Sequence, residues 1–406
     1  MKREIALLVA LIFVFGATAV LADVEAVNTG FGTMTIGGIF QAGFNYYVGD
    51  ELLSVDETSG ALSAADRPED MEFLLKRARL LFTGAVVDEK VKYCMQIEAA
   101  SESGMGLLDA KLGFKYIPYT TIWVGRFLPN FTYWTPKHTA KLYLIDYPLM
   151  NTFFGVQRQT GLDIAFNHEY VDVNLGFFNG RNYGNLNATL DPGDRTIEGL
   201  GNQTWQDENS MKDIYFNVIA KPINGLNIWA GLWYGLPLDY MEEDKGENVA
   251  HDATAMAING GAGYIADFGL RAWAEVLYST LSYDSGAPPD GKTDRADDTY
   301  DLTSMSYYVR VGYNIKEVSG VPLEFLVQYD FLDPDTMNDE KKHGADDELT
   351  YVTGGVNYYI KDWHAMLYLN YIYKMEAWKD INNKEGDDTQ DGIANDELKL
   401  QAQIAF

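Results

Sequence analysis

The sequence predicts an all-β fold, a transmembrane up-and-down antiparallel β-barrel of about 16 strands. Three observations in its 406 residues lead to this prediction. Apolar and polar residues alternate along many short segments, and the connections between those segments are short and long in turn. No apolar run after residue 22 reaches the roughly 20 residues that a membrane-spanning helix needs.

The first 22 residues have the layout of a secretory signal peptide. Lys2 and Arg3 precede an apolar run, and small residues follow it as far as Ala22. We expect cleavage after Ala22, with cleavage after Ala19 as the alternative. Residues 1–22 are therefore predicted to be removed on export, and residues 23–406 to form one barrel domain.

Alternation is clear in "VDVNLGFF" (171–178), where the odd-numbered residues are apolar and Asp172, Asn174 and Gly176 occupy the other face. The closing segment "ELKLQAQIAF" alternates in the same way and ends on Phe406. Because successive side chains of a strand point to opposite faces, such segments have one apolar and one polar face. We predict strands near 32–48, 72–86, 91–101, 107–117, 120–127, 160–168, 171–179, 211–222, 226–237, 253–265, 269–283, 303–316, 322–332, 348–360, 363–378 and 396–406.

Short and long connections alternate along the chain. Tight turns such as "NG" (224–225) and "EY" (169–170) separate some strands, and long acidic stretches separate the others. This alternation indicates a meander of hairpins, with the turns at one end and the loops at the other. An even number of strands places both ends of the domain on the short-turn side, so the last strand is expected to pair with the first.

The apolar faces could cover the core of a soluble sandwich or contact lipid. A sandwich of this size usually has Greek-key crossovers, whereas neighbouring strands here are all linked as hairpins. Aromatic residues also gather near strand ends, as in the girdles of membrane barrels. The predicted girdle positions are Tyr46–Tyr47, Phe177–Phe178, Tyr307–Tyr308, Tyr358–Tyr359, Tyr371, Tyr373 and Trp378. Lipid contact is therefore favoured over a soluble core.

The formal charge of -28 is concentrated in the long connections. Six of these connections carry 37 acidic and 10 basic residues: 49–70, 180–210, 238–252, 284–302, 333–348 and 379–396. The barrel wall is then nearly neutral, and one rim is strongly acidic. Such a rim is typical of a solvated, self-repelling surface, and a chain of this charge is not expected to bind nucleic acid.

The acidic rim could also hold divalent cations. In "DDTQDGIANDE" the oxygen-bearing residues Asp387, Thr389 and Asp391 are spaced two apart and followed by glycine, as in calcium-binding loops. The twelfth position from Asp387 is Leu398 instead of the glutamate of an EF-hand. A plain acidic loop is the favoured interpretation, with a Ca²⁺ site as the alternative and no other cofactor expected.

The sequence lacks the common catalytic motifs. It contains no nucleophile elbow, no HExxH and no CxxCH haem site, and its five histidines are scattered. Its single cysteine, Cys94, excludes an intrachain disulfide and a cysteine-based metal cluster. We therefore expect a protein that is not an enzyme.

The connection from Leu128 to Gln159 differs from the others because it is basic and rich in aromatic residues. It contains one acidic residue, Asp146. A connection of this length without disorder signals usually folds onto another part of the chain, so we expect it to enter the lumen. The alternative is an extracellular flap. If the loop enters the lumen, the candidate constriction residues are Lys137, His138, Lys141 and Arg158.

Three segments carry a family resemblance: "FLLKRARLLFTGAVVDEKVKYCMQIEA", "LLDAKLGFKYIPYTTIWVGRFLPNF" and "FFGVQRQTGLDIAF". Their matching residues are Arg77 and Arg79 in a basic strand, Asp109, Gly125–Arg126–Phe127 before a proline-containing loop, and Arg158 with Gly161. Over residues 72–166 this pattern resembles the phosphate-selective porin O and P family. The resemblance implies a sixteen-stranded outer-membrane porin of a Gram-negative bacterium, commonly a homotrimer, with its third loop folded inward.

The best-known members of that family select phosphate with an arginine ladder and a ring of lysines, and this chain departs from the pattern. The segment "LDYMEEDKGENVA" is acidic where a lysine cluster would be expected. The predicted pore-lining residues are Arg77, Arg79, Asp109, Lys111, Lys115, Arg126, Arg271 and Arg310. Acidic residues are interleaved with these cations, and opposed charges across a constriction tune selectivity without specifying one ion.

The expected function is passive diffusion of small hydrophilic solutes or inorganic ions through a loop-constricted pore in contact with outer-membrane lipid. One alternative is an anion-selective channel of the phosphate type. The other is a structural or adhesive barrel without specific transport.

Overall fold

The computed structural model describes residues 27–28, 32–48, 51–55, 62–66, 71–100, 105–153, 158–180, 212–235, 240–244, 247–251, 253–283, 300–333, 336, 348–376 and 396–406. The predicted signal peptide and the candidate calcium ligands Asp387, Thr389 and Asp391 lie outside these residues. Within them, no helix is long and apolar enough to cross a membrane. The same ranges contain no group of three or more His, Cys, Asp or Glu side chains placed to hold a metal ion.

Sixteen antiparallel strands form one closed barrel. They are β1 Gly32–Tyr47, β2 Met71–Val86, β3 Val91–Glu98, β4 Gly106–Ile117, β5 Thr120–Phe127, β6 Gln159–Asn167, β7 Val171–Phe178, β8 Asp213–Ile223, β9 Leu226–Gly235, β10 Ala253–Ile265, β11 Leu270–Tyr283, β12 Tyr300–Asn314, β13 Leu323–Asp333, β14 Leu349–Lys361, β15 Ala365–Glu376 and β16 Glu397–Ala405. Each strand pairs with the next, and β1 pairs with β16 from Ile39 opposite Ala405 to Tyr47 opposite Glu397. The predicted fold is confirmed.

Shorter elements accompany the barrel. A two-residue strand, Val27–Asn28, pairs with the start of β1. Two small hairpins pair Glu51–Val55 with Leu62–Asp66 and Tyr240–Asp244 with Glu247–His251. The described α-helices are α1 (Leu149–Phe153) and α2 (Lys316–Ser319).

Short connections join the strands at one end of the barrel, as predicted. They are residues 87–90, 118–119, 168–170, 224–225, 266–269, 315–322 and 362–364. The turn at 224–225 requires its glycine, because Gly225 has φ +79° and a Cβ there would lie 2.1 Å from the carbonyl oxygen of Ile265. The first barrel strand begins on this side of the barrel, and the last barrel strand finishes there.

The two faces of the wall differ as the alternation predicts. Val311 on β12 and its partner Val327 on β13 face outward and are about half exposed. Their neighbours Arg310 and Gln328 point inward and are almost fully buried. The outside of the barrel is therefore apolar, and the polar side chains are gathered in the lumen.

The predicted aromatic girdle is only half correct. Phe177, Tyr358 and Tyr373 are exposed on the outer face, but their neighbours Phe178, Tyr308 and Tyr359 point inward and are buried. Adjacent residues of a strand cannot both face lipid, since side chains alternate across the sheet. Phe178 and Tyr308 belong to one cluster of buried residues inside the barrel, and Tyr359 belongs to a second. Trp378 lies outside the described residues.

Candidate functional site

The third long connection, between β5 and β6, folds into the lumen along its described residues, 128–153 and 158. We call it loop 3; it includes a 3-10 turn at Thr139–Lys141 and helix α1. Phe131, Trp134 and Met150 are each at most 2% exposed, although they lie in a connection. This burial confirms that loop 3 enters the barrel rather than forming an external flap.

Aromatic packing holds one side of loop 3 against the wall. Tyr133 stacks on Trp229 of β9 with ring centroids 4.3 Å apart, and Trp134 meets Trp273 of β11 edge-on at 5.4 Å. Large aromatic side chains bury more surface than other residues and prefer such stacked and edge-on arrangements. An aromatic layer therefore fills the lumen between loop 3 and strands β7 to β13.

Polar side chains from seven wall strands between β8 and β16 satisfy the backbone of loop 3. Asn217 and Asn259 donate to the carbonyl of Phe131, Gln403 donates to that of Ala140, and Asn357 donates to that of Tyr143. Glu275, Asn370 and Asp330 accept hydrogen bonds from the amides of Tyr133, Ile145 and Leu149, respectively. All donor–acceptor distances are 2.7–3.3 Å. A buried backbone group without a partner is costly. These contacts therefore fix the path of loop 3 across the lumen.

An ion cluster holds the turn of loop 3 that precedes α1. Asp146 accepts a hydrogen bond from Lys399 of β16 at 2.9 Å and another from Lys76 of β2. Lys76 also donates to the carbonyl of Ile145 at 3.0 Å. The carboxyl is only partly covered, and the two ammonium groups outweigh the effect of this partial burial and hold the pKa of Asp146 well below its usual range.

A β-bulge places Lys76 in the lumen. Arg77 lies opposite Gln41 in β1, whereas Leu75 lies opposite Ala42, so Lys76 is an extra residue in β2. The bulge lets Lys76 and Arg77 both reach the interior, although they are adjacent in sequence. Lys76 was not among the predicted pore residues because strict alternation assigns it to the outer face.

The wall that loop 3 leaves partly exposed is formed by β2 to β6, and we call it the passage wall. Here Arg79 pairs with Glu98 at 2.6 Å, and Arg158 pairs with Asp109 at 3.0 Å, with all four side chains 11–15% exposed. On the opposite wall, by contrast, Asn357 and Ser306 are fully buried under loop 3. These four side chains of the passage wall therefore keep more access to solvent than Asn357 and Ser306.

Several predicted lining residues lie on the passage wall. Arg77 donates to Gln41 at 2.7 Å. Lys111 lies over the rings of Trp123 and Phe127, with Nζ 4.7 and 4.9 Å from the ring centroids. Arg126 is buried at the end of β5, and Lys115 is exposed near the short-turn end of β4.

Arg271 and Arg310 point inward as predicted, but loop 3 covers them. Arg271 pairs with Glu324 at 2.8 Å and lies over the Tyr143 ring, and Arg310 lies over the Trp134 ring. Both guanidinium groups thus contact aromatic residues of loop 3. They lie between the wall and loop 3, and their role as pore-lining residues stays a prediction.

The four predicted constriction residues do not form one ring. Lys137 lies over the ring of Tyr133 with Nζ 4.4 Å from the centroid, while Arg158 lies beside Asp109 at the other end of the loop. Lys141 is exposed. The Nδ1 atom of His138 accepts a hydrogen bond from the Ala140 amide at 3.2 Å. Burial, reinforced by nearby cations, lowers the pKa of His138, so this imidazole is neutral at pH 7.

Comparison with known proteins supports the fold. No protein-family model and no curated protein matches the sequence. Solved structures do match, and the three that follow are each covered over 100% of their own chains. The outer-membrane channel DcaP of Acinetobacter baumannii matches 95% of this chain with TM-score 0.62 and 12% identity. OmpT, an outer-membrane protein of Vibrio cholerae, matches 95% with TM-score 0.55 and 14% identity, and Salmonella typhi OmpF matches 94% with TM-score 0.55 and 12% identity. This chain therefore shares the β-barrel fold of these outer-membrane proteins.

Proposed function

We propose that this protein is an outer-membrane porin of a Gram-negative bacterium. It would allow small hydrophilic solutes or ions to diffuse passively between loop 3 and the passage wall. The observation that carries this proposal is a closed barrel with an apolar outside and a charged, partly solvated lumen that an anchored loop narrows. Matches to outer-membrane proteins, one of them described as a channel, support the location and the activity.

A second candidate, a preference for anions, has specific support. Cations on the passage wall are partly offset by acids, as in the pairs Arg79–Glu98 and Arg158–Asp109. The only acid of loop 3, Asp146, is compensated by Lys76 and Lys399. Arg77 and Lys111 add positive charge to the passage wall beyond these pairs. Charges in a partly desolvated zone act more strongly than charges on a screened rim. We expect a weak preference, since the acidic outer loops attract cations to the mouth.

The proposal also covers the oligomeric state of the protein and the question of an enzymatic role. A Vibrio cholerae OmpT structure described as a trimer form matches 93% of this chain with TM-score 0.52 and 13% identity, which supports a homotrimer in contact with outer-membrane lipid. The family resemblance over residues 72–166 points the same way. We propose no enzymatic role, and the phosphate type of selectivity stays a prediction from that resemblance.

Planar-bilayer recording of the purified protein tests the proposal. We expect discrete conductance steps and a reversal potential, in a salt gradient, that indicates a weak anion preference. If the folded barrel carries no current, the structural or adhesive alternative would be favoured.

A further inference from the structure

Five charged side chains of alternating sign lie in a row along the lumen. The row, which we call the ion chain, is Lys374, Glu397, Lys399, Asp146 and Lys76. Successive N–O distances are 2.6, 2.6 and 2.9 Å as far as Asp146, which then binds Lys76. Its members come from β15, β16, loop 3 and β2, so the ion chain crosses the seam where the barrel closes.

Asp146 is the most exposed of these five side chains. Its side chain is 39% exposed, compared with 19% for Lys76 and 17% for Lys399. It is also the single acidic residue in loop 3. Its neighbour in space, Arg77, carries a further positive charge on the same stretch of wall. The carboxylate therefore faces solvent beside three cations, Lys76, Lys399 and Arg77.

We propose that Asp146 is a specificity-determining residue, the counter-ion that limits the anion preference of the pore. This inference rests on the proposed porin function. The ion chain has a net charge of one positive unit, because three lysines face two carboxylates. Loss of the Asp146 charge would raise this to two units and leave Lys76 without a carboxylate partner in the ion chain. The sequence alone suggested a role for the cations of loop 3 and left its one acid unassigned.

The size of the effect follows from one unit charge near the path of the ions. At about 10 Å in water, one charge changes the anion-to-cation permeability ratio roughly fourfold without screening. At 0.1 M salt, where the Debye length is about 10 Å, the change falls to roughly twofold. The effect should therefore grow as salt is diluted.

Reversal potentials in planar bilayers test this proposal with charge-matched variants. We expect Asp146→Asn to raise the anion-to-cation permeability ratio roughly twofold at 0.1 M salt. We expect Lys76→Met to lower the ratio by a similar factor. The double variant Lys76→Met with Asp146→Asn restores the net charge of the ion chain and should return the ratio to that of the wild type. A purely structural role for Asp146 would not make the shift of Asp146→Asn grow as the salt is diluted, whereas the electrostatic role requires that growth.

The control is Asp362→Asn, which removes an acid paired with Lys316 at the short-turn end, outside the ion chain. It should leave the permeability ratio close to that of the wild type. Equal ratios for Asp146→Asn and Asp362→Asn, or a double variant that keeps the shift of Asp146→Asn, would overturn the proposal while leaving the porin function intact. Absence of current through the wild type would instead contradict the porin function itself.

Discussion

Replacing Val311 with arginine tests which face of the barrel contacts lipid. Val311 lies on the outer face of β12, between the outward aromatic residues Tyr307 and Tyr313, which are about 20 Å apart along the strand. That spacing places Val311 close to the middle of the apolar band, where an arginine costs about 2–4 kcal/mol. Since each 1.4 kcal/mol is a factor of ten, the folding equilibrium constant should fall roughly 30- to 900-fold.

The assay is a urea titration of the protein refolded in lipid vesicles. Its control is Val318→Arg, because Val318 lies on α2 in the turn that follows β12 and is similarly exposed, at 61% compared with 47% for Val311. We expect the control to change the free energy of unfolding by less than about 0.5 kcal/mol, as is usual for surface substitutions. Equal costs at the two positions would refute the assignment of the outer face to lipid.

Two further predictions concern topology and loop 3. In a Cys94→Ala background, a membrane-impermeant thiol reagent on intact cells should label Lys342→Cys and leave Asp362→Cys unlabelled. The reason is that the sequence predicts residues 333–348 outside the cell, whereas Asp362 lies in the short connection between β14 and β15. The reverse pattern would invert the topology. Changing Lys137, Lys141 and Arg158 together to glutamate should shift the reversal potential towards cations, and by more than neutralising three acids in 379–396. An unchanged reversal potential in a well-folded triple variant would remove these residues from the conduction path.

The strands were predictable because lipid and lumen impose opposite requirements on alternate residues. All 16 predicted strands have a counterpart whose ends agree within three residues. The closing pair of β1 with β16 followed from the even strand number alone. The direction of loop 3 was also predictable, because its basic and aromatic composition differs from that of the acidic connections.

Pairing geometry accounts for most of what the sequence did not predict. The bulge at Lys76 depends on how β2 pairs with β1. Hydrophobic alternation within β2 does not specify that register. The anchors of loop 3 are similarly long-range, since Asn217 and Asn259 bind the carbonyl of Phe131 from 86 and 128 residues away. Inward-facing asparagines were visible in the sequence, but their partners were not.

The covered position of Arg271 and Arg310 has the same origin. Alternation correctly placed both side chains in the lumen, yet it could not show that Tyr143 and Trp134 of loop 3 lie over them. Whether an inward charge is solvated depends on the path of the loop. That path is set by packing against distant strands, so it required the three-dimensional structure.

The central claim is that solutes pass along the wall formed by β2 to β6, and the native thiol of Cys94 tests it most directly. Cys94 is half-buried on β3 and pairs with Lys111 of β4, whose side chain lies on the passage wall. Single-channel recording of the wild type during addition of an anionic methanethiosulfonate reagent should show a stepwise fall in conductance and a shift of the reversal potential towards cations. The Cys94→Ala variant should not respond. A wild-type channel whose conductance and reversal potential stay unchanged, although mass spectrometry shows Cys94 fully modified, would contradict the account.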